Sequence, residues 1–426
     1  MKRTYLLKLI LILTLSGCSS SNKTNERNED EFSEHYKTNK EIIYAKPKEA
    51  KDVIKYDIND DYITDEQYPN RIQNEKICTM VFHYTAQPYK KSLRALTTGG
   101  NSSHWLVPSS GKTVFKIVSE DRRAQHAGTS LWKNRKNVNV ISIGIEIVNL
   151  GFKCKNNKKF CDQDSIEWID FPDEQQKLII SLAKDIQERY NIDPLCIVGH
   201  SDIAVDRKLD PGPLFPWKRM ADNGIGAWAN ESEIQTQIEK IKQSLGANIS
   251  PFLIQIRLYE FGYDIRNEKS SNKKIQTDLL NFEYNIHKTP IADIKALNLA
   301  NEFGTKNIKN KIFDNKKTNF ALHAFLMHYL PDDYLAHRTI EEAQVAKKQE
   351  RAKLREKSNG KNKKNKKTQV KINRSKHDPK KTPDKQSDFD GDTIELIKGF
   401  DNLRVLATLQ ALLVKYPNKV RTGCNF

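Results

Sequence analysis

The sequence predicts an α/β domain followed by a smaller all-helical region, and three observations lead there. Between about Pro47 and Trp228, β-branched and aromatic runs of strand length alternate with amphipathic helical spacing, which argues for a sheet layered with helices rather than a β-sandwich. From about Ile234 onward the apolar residues recur only with helical spacing. At 426 residues the chain is also two or three times a usual domain length, so more than one folded unit is expected.

The elements follow in chain order. Lys2 and Arg3 precede Leu6, Leu7, Leu9, Ile10, Leu11, Ile12 and Leu13, a hydrophobic stretch of signal-peptide length that is too short for a stable span. It ends in Leu15-Ser16-Gly17-Cys18, which resembles the lipobox of bacterial lipoproteins. That resemblance implies acylation of Cys18, with Ser19 favouring the outer membrane. Residues 18–46 are polar and suit a tether. In the α/β part, Cys78–Tyr84, Val138–Val148 and Leu195–Val198 read as strands. Asp173–Tyr190 reads as a helix: Leu178, Leu182 and Ile186 recur every fourth residue, and Asp173 and Glu174 suit its positive end. Helical words then appear at Phe252–Leu258, Ile275–Phe282, Phe320–Leu330 and Ile394–Val414. Between residues 334 and 390 lies a stretch poor in apolar residues, read as an insertion into a helical domain of residues 234–333 and 391–420.

Charge narrows the function classes. The formal net charge is +17, but Lys347–Lys385 alone holds 17 basic and 4 acidic side chains. The folded parts are only mildly basic, so a nucleic-acid-binding face is a poor reading, and export would separate the chain from nucleic acid. The insertion either meets an anionic polymer or lipid surface or is simply solvated. Six cysteines in this length exclude a disulfide-scaffold miniprotein. Cys78 and Cys196 read as buried apolar residues, whereas Cys154 and Cys161 either close a small loop or are unrelated thiols.

Three positions carry residue types that zinc selects. His83 lies at the end of a strand, His200 ends another in Val-Gly-His-Ser-Asp, and Asp210 follows ten residues later. Two imidazoles and a carboxylate with water in the fourth position make an open, catalytic kind of site. Singly, such a histidine is more often a hydrogen-bonded surface residue. Together, the words around them match a family. Gly199–Ala204 and Arg207–Trp217, with Phe82–Ala86, Ser102–Val107, His126-Ala127-Gly128 and Ile143–Glu146, resemble the zinc-dependent N-acetylmuramoyl-L-alanine amidases, in order and spacing.

The resemblance implies a mixed central sheet flanked by helices, as in the amidase and peptidoglycan-recognition folds, plus a small all-α peptidoglycan-binding-like domain. It implies Zn2+ held by His83, His200 and Asp210. Glu146 matches the glutamate that acts on the attacking water, and Lys208 the lysine beside the developing oxyanion. Independently, Glu146 projects to the opposite side of its strand from Ile145 and Ile147, and a carboxylate there suits proton transfer. His104, Tyr84 and Asn149 are implied to line the substrate cleft and His126 to support or line it, and Gln125 stands where the family commonly has Trp. The implied activity is hydrolysis of the amide between N-acetylmuramic acid, 1,6-anhydro forms included, and L-alanine. The implied protein is a periplasm-facing, outer-membrane-anchored monomer acting on peptidoglycan, with no nucleic-acid partner. A non-catalytic muropeptide-binding module is the alternative; modules that lose the chemistry usually lack a ligand or the acidic residue, and here all are present. His328 reads as a helix-packing residue.

Overall fold

The computed structural model describes residues 51–337 and 400–416, apart from 74, 99, 156–165, 246–248, 250 and 268–312. The signal segment, Cys18, the tether, Cys161, the word at Ile275–Phe282 and most of the basic stretch lie outside the described residues. In chain order the strands are β1 (Asp57–Asn59), β2 (Thr79–Tyr84), β3 (Trp105–Val107), β4 (Thr113–Lys116), β5 (Leu131–Trp132), β6 (Arg135–Lys136), β7 (Ser142–Ile147), β8 (Phe152–Cys154), β9 (Ile166–Trp168) and β10 (Ile197–Gly199). The helices are α1 (Tyr89–Thr97), α2 (Asp173–Tyr190), α3 (His200–Ile203), α4 (Trp217–Asp222), α5 (Glu231–Leu245), α6 (Pro251–Phe261), α7 (Asn315–Tyr329) and α8 (Asn402–Lys415). No helix among the described residues is long and apolar enough to cross a membrane.

Six strands form one mixed sheet in the order β1-β4-β3-β7-β2-β10, and β5-β6 and β8-β9 are two-stranded ribbons. Within the large sheet β3 and β4 run antiparallel, and the other neighbours run parallel. A parallel strand in mid-sheet is covered on both faces, so it reads as a continuous apolar run. β2 obeys this: Met80, Val81 and Phe82 are all buried. Phe82 meets the rings of Phe215 and Trp217 at 5.0 and 5.8 Å. The α2 face anticipated from spacing, Leu178, Ile179, Leu182, Ala183 and Ile186, is buried throughout. The helix ends where Asn191 turns left-handed at φ 48° and its N–H caps the carbonyls of Gln187 and Glu188.

Two strands are shorter than anticipated. Val138–Val140 is a 3-10 turn entered through a left-handed Asn137, and β7 starts only at Ser142. Pro194–Cys196 is likewise a 3-10 turn, capped by the Asp193 carboxylate on the Leu195 N–H, before β10 begins. In both cases a local turn signal outweighed the β-branched composition. Cys196 is buried, as expected. Cys78 is not a plain apolar residue: it is disulfide-bonded, as is Cys154.

A partly buried ionic knot ties the C-terminal end of α2 to the sheet. Glu120 accepts hydrogen bonds from Trp105 Nε1 at 2.7 Å, Tyr190 Oη at 2.6 Å and Arg189 Nη2 at 3.1 Å. Burial alone would raise the Glu120 pKa, but the Arg189 charge and these donors outweigh it and hold the group down at about 2. Because the folded value lies below the unfolded one, the carboxylate stabilises the fold above about pH 4.5, by about 3 kcal/mol, and loses that contribution as pH falls toward 2. Glu120→Gln should therefore lower the urea midpoint at pH 7, and the gap to wild type should close between about pH 4.5 and 2. A gap constant across that window would refute the assignment.

Beyond α4 every element described is helical. α8 packs against α5 and α6. The apolar-poor stretch does not begin at Tyr334: residues 331–337 are helical, and Tyr334 and His337 are buried. His337 stacks on Phe400 at 4.1 Å, so the helical core claims these residues. This region docks on the sheet domain through Asp202 in α3, which accepts from Tyr263 Oη at 2.7 Å and faces His328 Nδ1 at 2.8 Å. The His328 ring stacks on Trp217 at 3.6 Å. The same Asp202 accepts the Gly199 N–H at 2.8 Å, directly before His200.

Candidate metal centre

Parallel register places the key side chains. β2 and β7 pair His83 with Glu146, so the two side chains leave the sheet side by side on one face. β10 pairs Gly199 with Phe82, and the chain then turns into α3, whose first residue is His200. Asp210 is brought back to that turn by a backbone bond from Ser201 N–H to the Asp210 carbonyl at 2.8 Å. A strand residue, the first residue of a short helix and a loop residue thus converge at one end of β2 and β10.

The convergence is tight. His83 Nδ1 and His200 Nδ1 lie 2.9 Å apart, and each lies near Asp210 Oδ2, at 3.1 and 3.0 Å respectively. All three residues are buried. Burial, and then the neighbouring His200, push His83 down to about 4. Burial would raise Asp210, but His200 and His83 hold it well below the usual carboxylate range. A zinc ion about 2.0–2.1 Å from each donor at tetrahedral angles needs them roughly 3.3 Å apart. The observed triangle is slightly tighter than that. His200 Nε2 faces the Ala127 carbonyl at 3.1 Å, an obligate acceptor, so Nε2 carries the hydrogen and Nδ1 presents its lone pair to the triangle. A buried, open-sided set of two imidazole nitrogens and one carboxylate fits zinc.

The triangle opens into a polar cleft of about 490 Å³ whose walls include Tyr84, Gln125, His126, Glu146, Arg207 and Lys208. Glu146 Oε2 is buried there with no hydrogen-bond partner among the described residues. Burial, and then the Asp210 charge, raise Glu146 to about 8, against the opposing pull of Lys208. A cation in the triangle would oppose Asp210 and favour the carboxylate. An unpartnered carboxyl beside a donor triangle is poised to exchange a proton with a molecule in the cleft.

Two of the residues implied to line the cleft do not. His104 is wholly buried beside β7, its ring 5.7 Å from that of His126: its Nδ1 accepts the Gly144 N–H at 2.9 Å, and Nε2 lies 3.1 Å from the Arg122 carbonyl. It braces β7, two residues before Glu146. Asn149 pins a turn instead, accepting Gly151 N–H at 2.6 Å and donating to the Asp170 carbonyl at 2.9 Å. That turn presses Gly151, at φ +77°, flat on the Tyr84 ring, where a Cβ would lie 2.3 Å from the ring. Asn149 therefore supports Tyr84 rather than touching the cleft. At Gln125, the departure from the family word, the backbone is held by a reciprocal pair with Ser102, through Oγ at 2.8 Å and the Ser102 N–H at 3.1 Å.

Sequence reasoning passed over Arg207 and Asp202, though both lie inside the words that carried the resemblance. Arg207 donates to the carbonyls of Ala127 and Thr129, holding the loop against which His200 rests. Phe152, also in the cleft wall, had no local signal.

Comparison with known proteins decides the family. Residues 73–213 match the family model described as N-acetylmuramoyl-L-alanine amidase. Over 205 residues the chain is 36% identical to the N-acetylmuramoyl-L-alanine amidase AmiD of Escherichia coli, spanning 47% of this chain and 71% of that protein. The chain belongs to the N-acetylmuramoyl-L-alanine amidase family. The amidase is also 27% identical over 208 residues to a putative N-acetylmuramoyl-L-alanine amidase of Rickettsia conorii, spanning 47% of this chain and 70% of that one. It is 33% identical over 118 residues to the 1,6-anhydro-N-acetylmuramyl-L-alanine amidase AmpD of Enterobacter cloacae, spanning 28% of this chain and 54% of that one. The family match at residues 73–213 contains all three residues of the amidase's donor triangle.

Proposed function

We propose that the amidase hydrolyses the amide between N-acetylmuramic acid, including 1,6-anhydro forms, and L-alanine of the stem peptide, using zinc held by His83, His200 and Asp210. The observation that carries this reading is the donor triangle of 2.9–3.1 Å beside the unpartnered Glu146 Oε2 in one cleft. When bound, the ion supplies a Lewis acid for the scissile carbonyl and lowers the pKa of water to roughly 7. Glu146 takes a proton from the attacking water as its oxygen bonds to the carbonyl carbon. The same carboxyl returns that proton to nitrogen as the C–N bond breaks, leaving the free amine of L-alanine and a lactyl carboxylic acid, which gives up the second water proton to become the carboxylate. Lys208, in the cleft wall, supplies positive charge to the carbonyl oxygen as it gains electrons. Tyr84 and His126 shape the cleft around the muropeptide.

The reading extends to place and partners. Lipid attachment at Cys18 and the polar residues after it would hold the catalytic domain near the outer membrane, facing the periplasm and peptidoglycan. The helical region would serve as a peptidoglycan-binding-like module, and the protein would act as a monomer. Incubation with purified sacculi and with anhydro-muropeptides, followed by mass spectrometry, tests the activity. Free stem peptides and peptide-free muramic residues are expected, and their formation should cease with a zinc chelator. Unchanged substrates would leave only a binding function.

A further inference from the structure

Metal ligation by His83 requires a bare Nδ1, and the neutral imidazole must then carry its hydrogen on Nε2. His200 has the Ala127 carbonyl to enforce that choice. Among the described residues His83 has no backbone acceptor; its Nε2 faces another histidine, His126, whose Nδ1 lies 3.1 Å away. An imidazole can donate or accept, so this contact alone enforces nothing. The chain of contacts continues, however. His126 Nε2 lies 3.1 Å from Ser142 Oγ, and Ser142 Oγ lies 2.6 Å from the Val138 carbonyl.

A carbonyl oxygen can only accept, so the single Ser142 hydroxyl hydrogen is committed to Val138. Ser142 Oγ must then accept from His126, which places the hydrogen of His126 on Nε2. That leaves His126 Nδ1 bare, and it accepts the Nε2–H of His83. The His83 Nδ1 lone pair is consequently turned into the triangle, where it joins those of His200 and Asp210. We propose that His126 and Ser142 are positioning residues that fix the metal-binding tautomer of His83 through a one-way relay ending on the Val138 carbonyl. The inference rests on the metal-centre reading given above.

The packing supports a built relay rather than chance neighbours. His126 meets the His83 ring edge to face with centroids 5.1 Å apart. It lies directly on Gly144 of β7, where a Cβ would approach Cγ of the ring to 2.4 Å. Gly144 pairs with Val81 and Glu146 with His83. The missing side chain at residue 144 is therefore the space in which the ring sits beneath the ligand. The main-chain N–H groups of His126 and Ala127 both donate to Asn139 Oδ1, at 3.1 and 2.8 Å, so the loop holds the ring from behind. Ser142 is itself wholly buried, so its hydroxyl is removed from bulk solvent.

Outer partners of this kind typically change metal affinity 10–100-fold. The test is zinc affinity of the full chain by competition with a chromophoric chelator, with a long-range 1H–15N spectrum of 15N-histidine-labelled protein. His126→Leu, which keeps bulk and removes both nitrogens, should weaken zinc binding roughly 10–100-fold, and Ser142→Ala roughly 10-fold. His126→Asn places an amide oxygen near the lost Nδ1 and should restore binding to within about threefold of wild type, a rescue that bulk alone would not produce. In the wild type, the His126 ring should read as Nε2-protonated. Wild-type zinc affinity in both His126→Leu and Ser142→Ala, or an Nδ1-protonated His126 ring, would overturn the relay. Should His126→Leu fail to fold, Ser142→Ala and the wild-type spectrum decide. A wild type that takes up no zinc would instead remove the metal-centre reading, and the ring spectrum would still decide the relay.

Discussion

Replacing His83, His200 or Asp210 by alanine should each abolish hydrolysis and bring zinc content from about one ion per chain to well below that. The expectation follows from the geometry: the three donor atoms lie 2.9–3.1 Å apart and no fourth protein ligand joins them among the described residues. With only three protein ligands, loss of one leaves two, too few to hold the ion against solvent. Lewis-acid stabilisation of several kcal/mol goes with it, so the rate should fall on the order of 10³-fold or more. Chelation of the wild type should produce the same loss, and zinc should reverse it. The alanine variants should not respond to added zinc at micromolar levels. Full activity in any of the three, or in the chelated wild type, would show that the triangle is structural.

Glu146→Gln separates metal binding from proton transfer. Gln keeps the size of the side chain but cannot take a proton from water, so the rate should fall by roughly 10²–10⁴-fold while zinc content stays near one. The buried Oε2, with no hydrogen-bond partner among the described residues, is the reason to expect so large an effect: its lone pairs are left for a molecule in the cleft. Lys208→Ala should also keep zinc and lower kcat by about 10²-fold, because its charge acts on an oxygen that becomes negative only in the transition state. Glu146→Gln with wild-type turnover would assign the proton transfer elsewhere. Loss of zinc in that variant would mean that Glu146 shapes the metal site itself.

Much of this site was legible because its residues carry their chemistry in their type. His83, His200, Asp210, Glu146 and Lys208 are unusual in their local words, and the structure gathers all five around one cleft or beneath it. Partner choice is a different matter. His104 looked like a cleft residue and is a brace for Gly144, because a fully buried imidazole takes whichever backbone group the sheet register presents. Asn149 was drawn away from the cleft by a turn that begins two residues later. Cys78 reads in sequence as one more apolar strand residue, and its disulfide depends on what the fold brings beside it.

The sequence by itself determined the class of architecture, the buried face of α2 and the chemical identity of the donor set. Each rests on periodicity or residue type, which neighbours in the chain already express. Tertiary structure alone decided the direction in which the hydrogen bonds run. Ser142 has no local mark of function; its role exists because the Val138 carbonyl lies 2.6 Å from its hydroxyl and the His126 ring fills the space left by Gly144. Asp202 likewise gains its partners from Tyr263, 61 residues away, and His328, 126 residues away. Hydrogen-bond direction is set by which group can only accept or only donate, and that is known only once distant groups have been brought together.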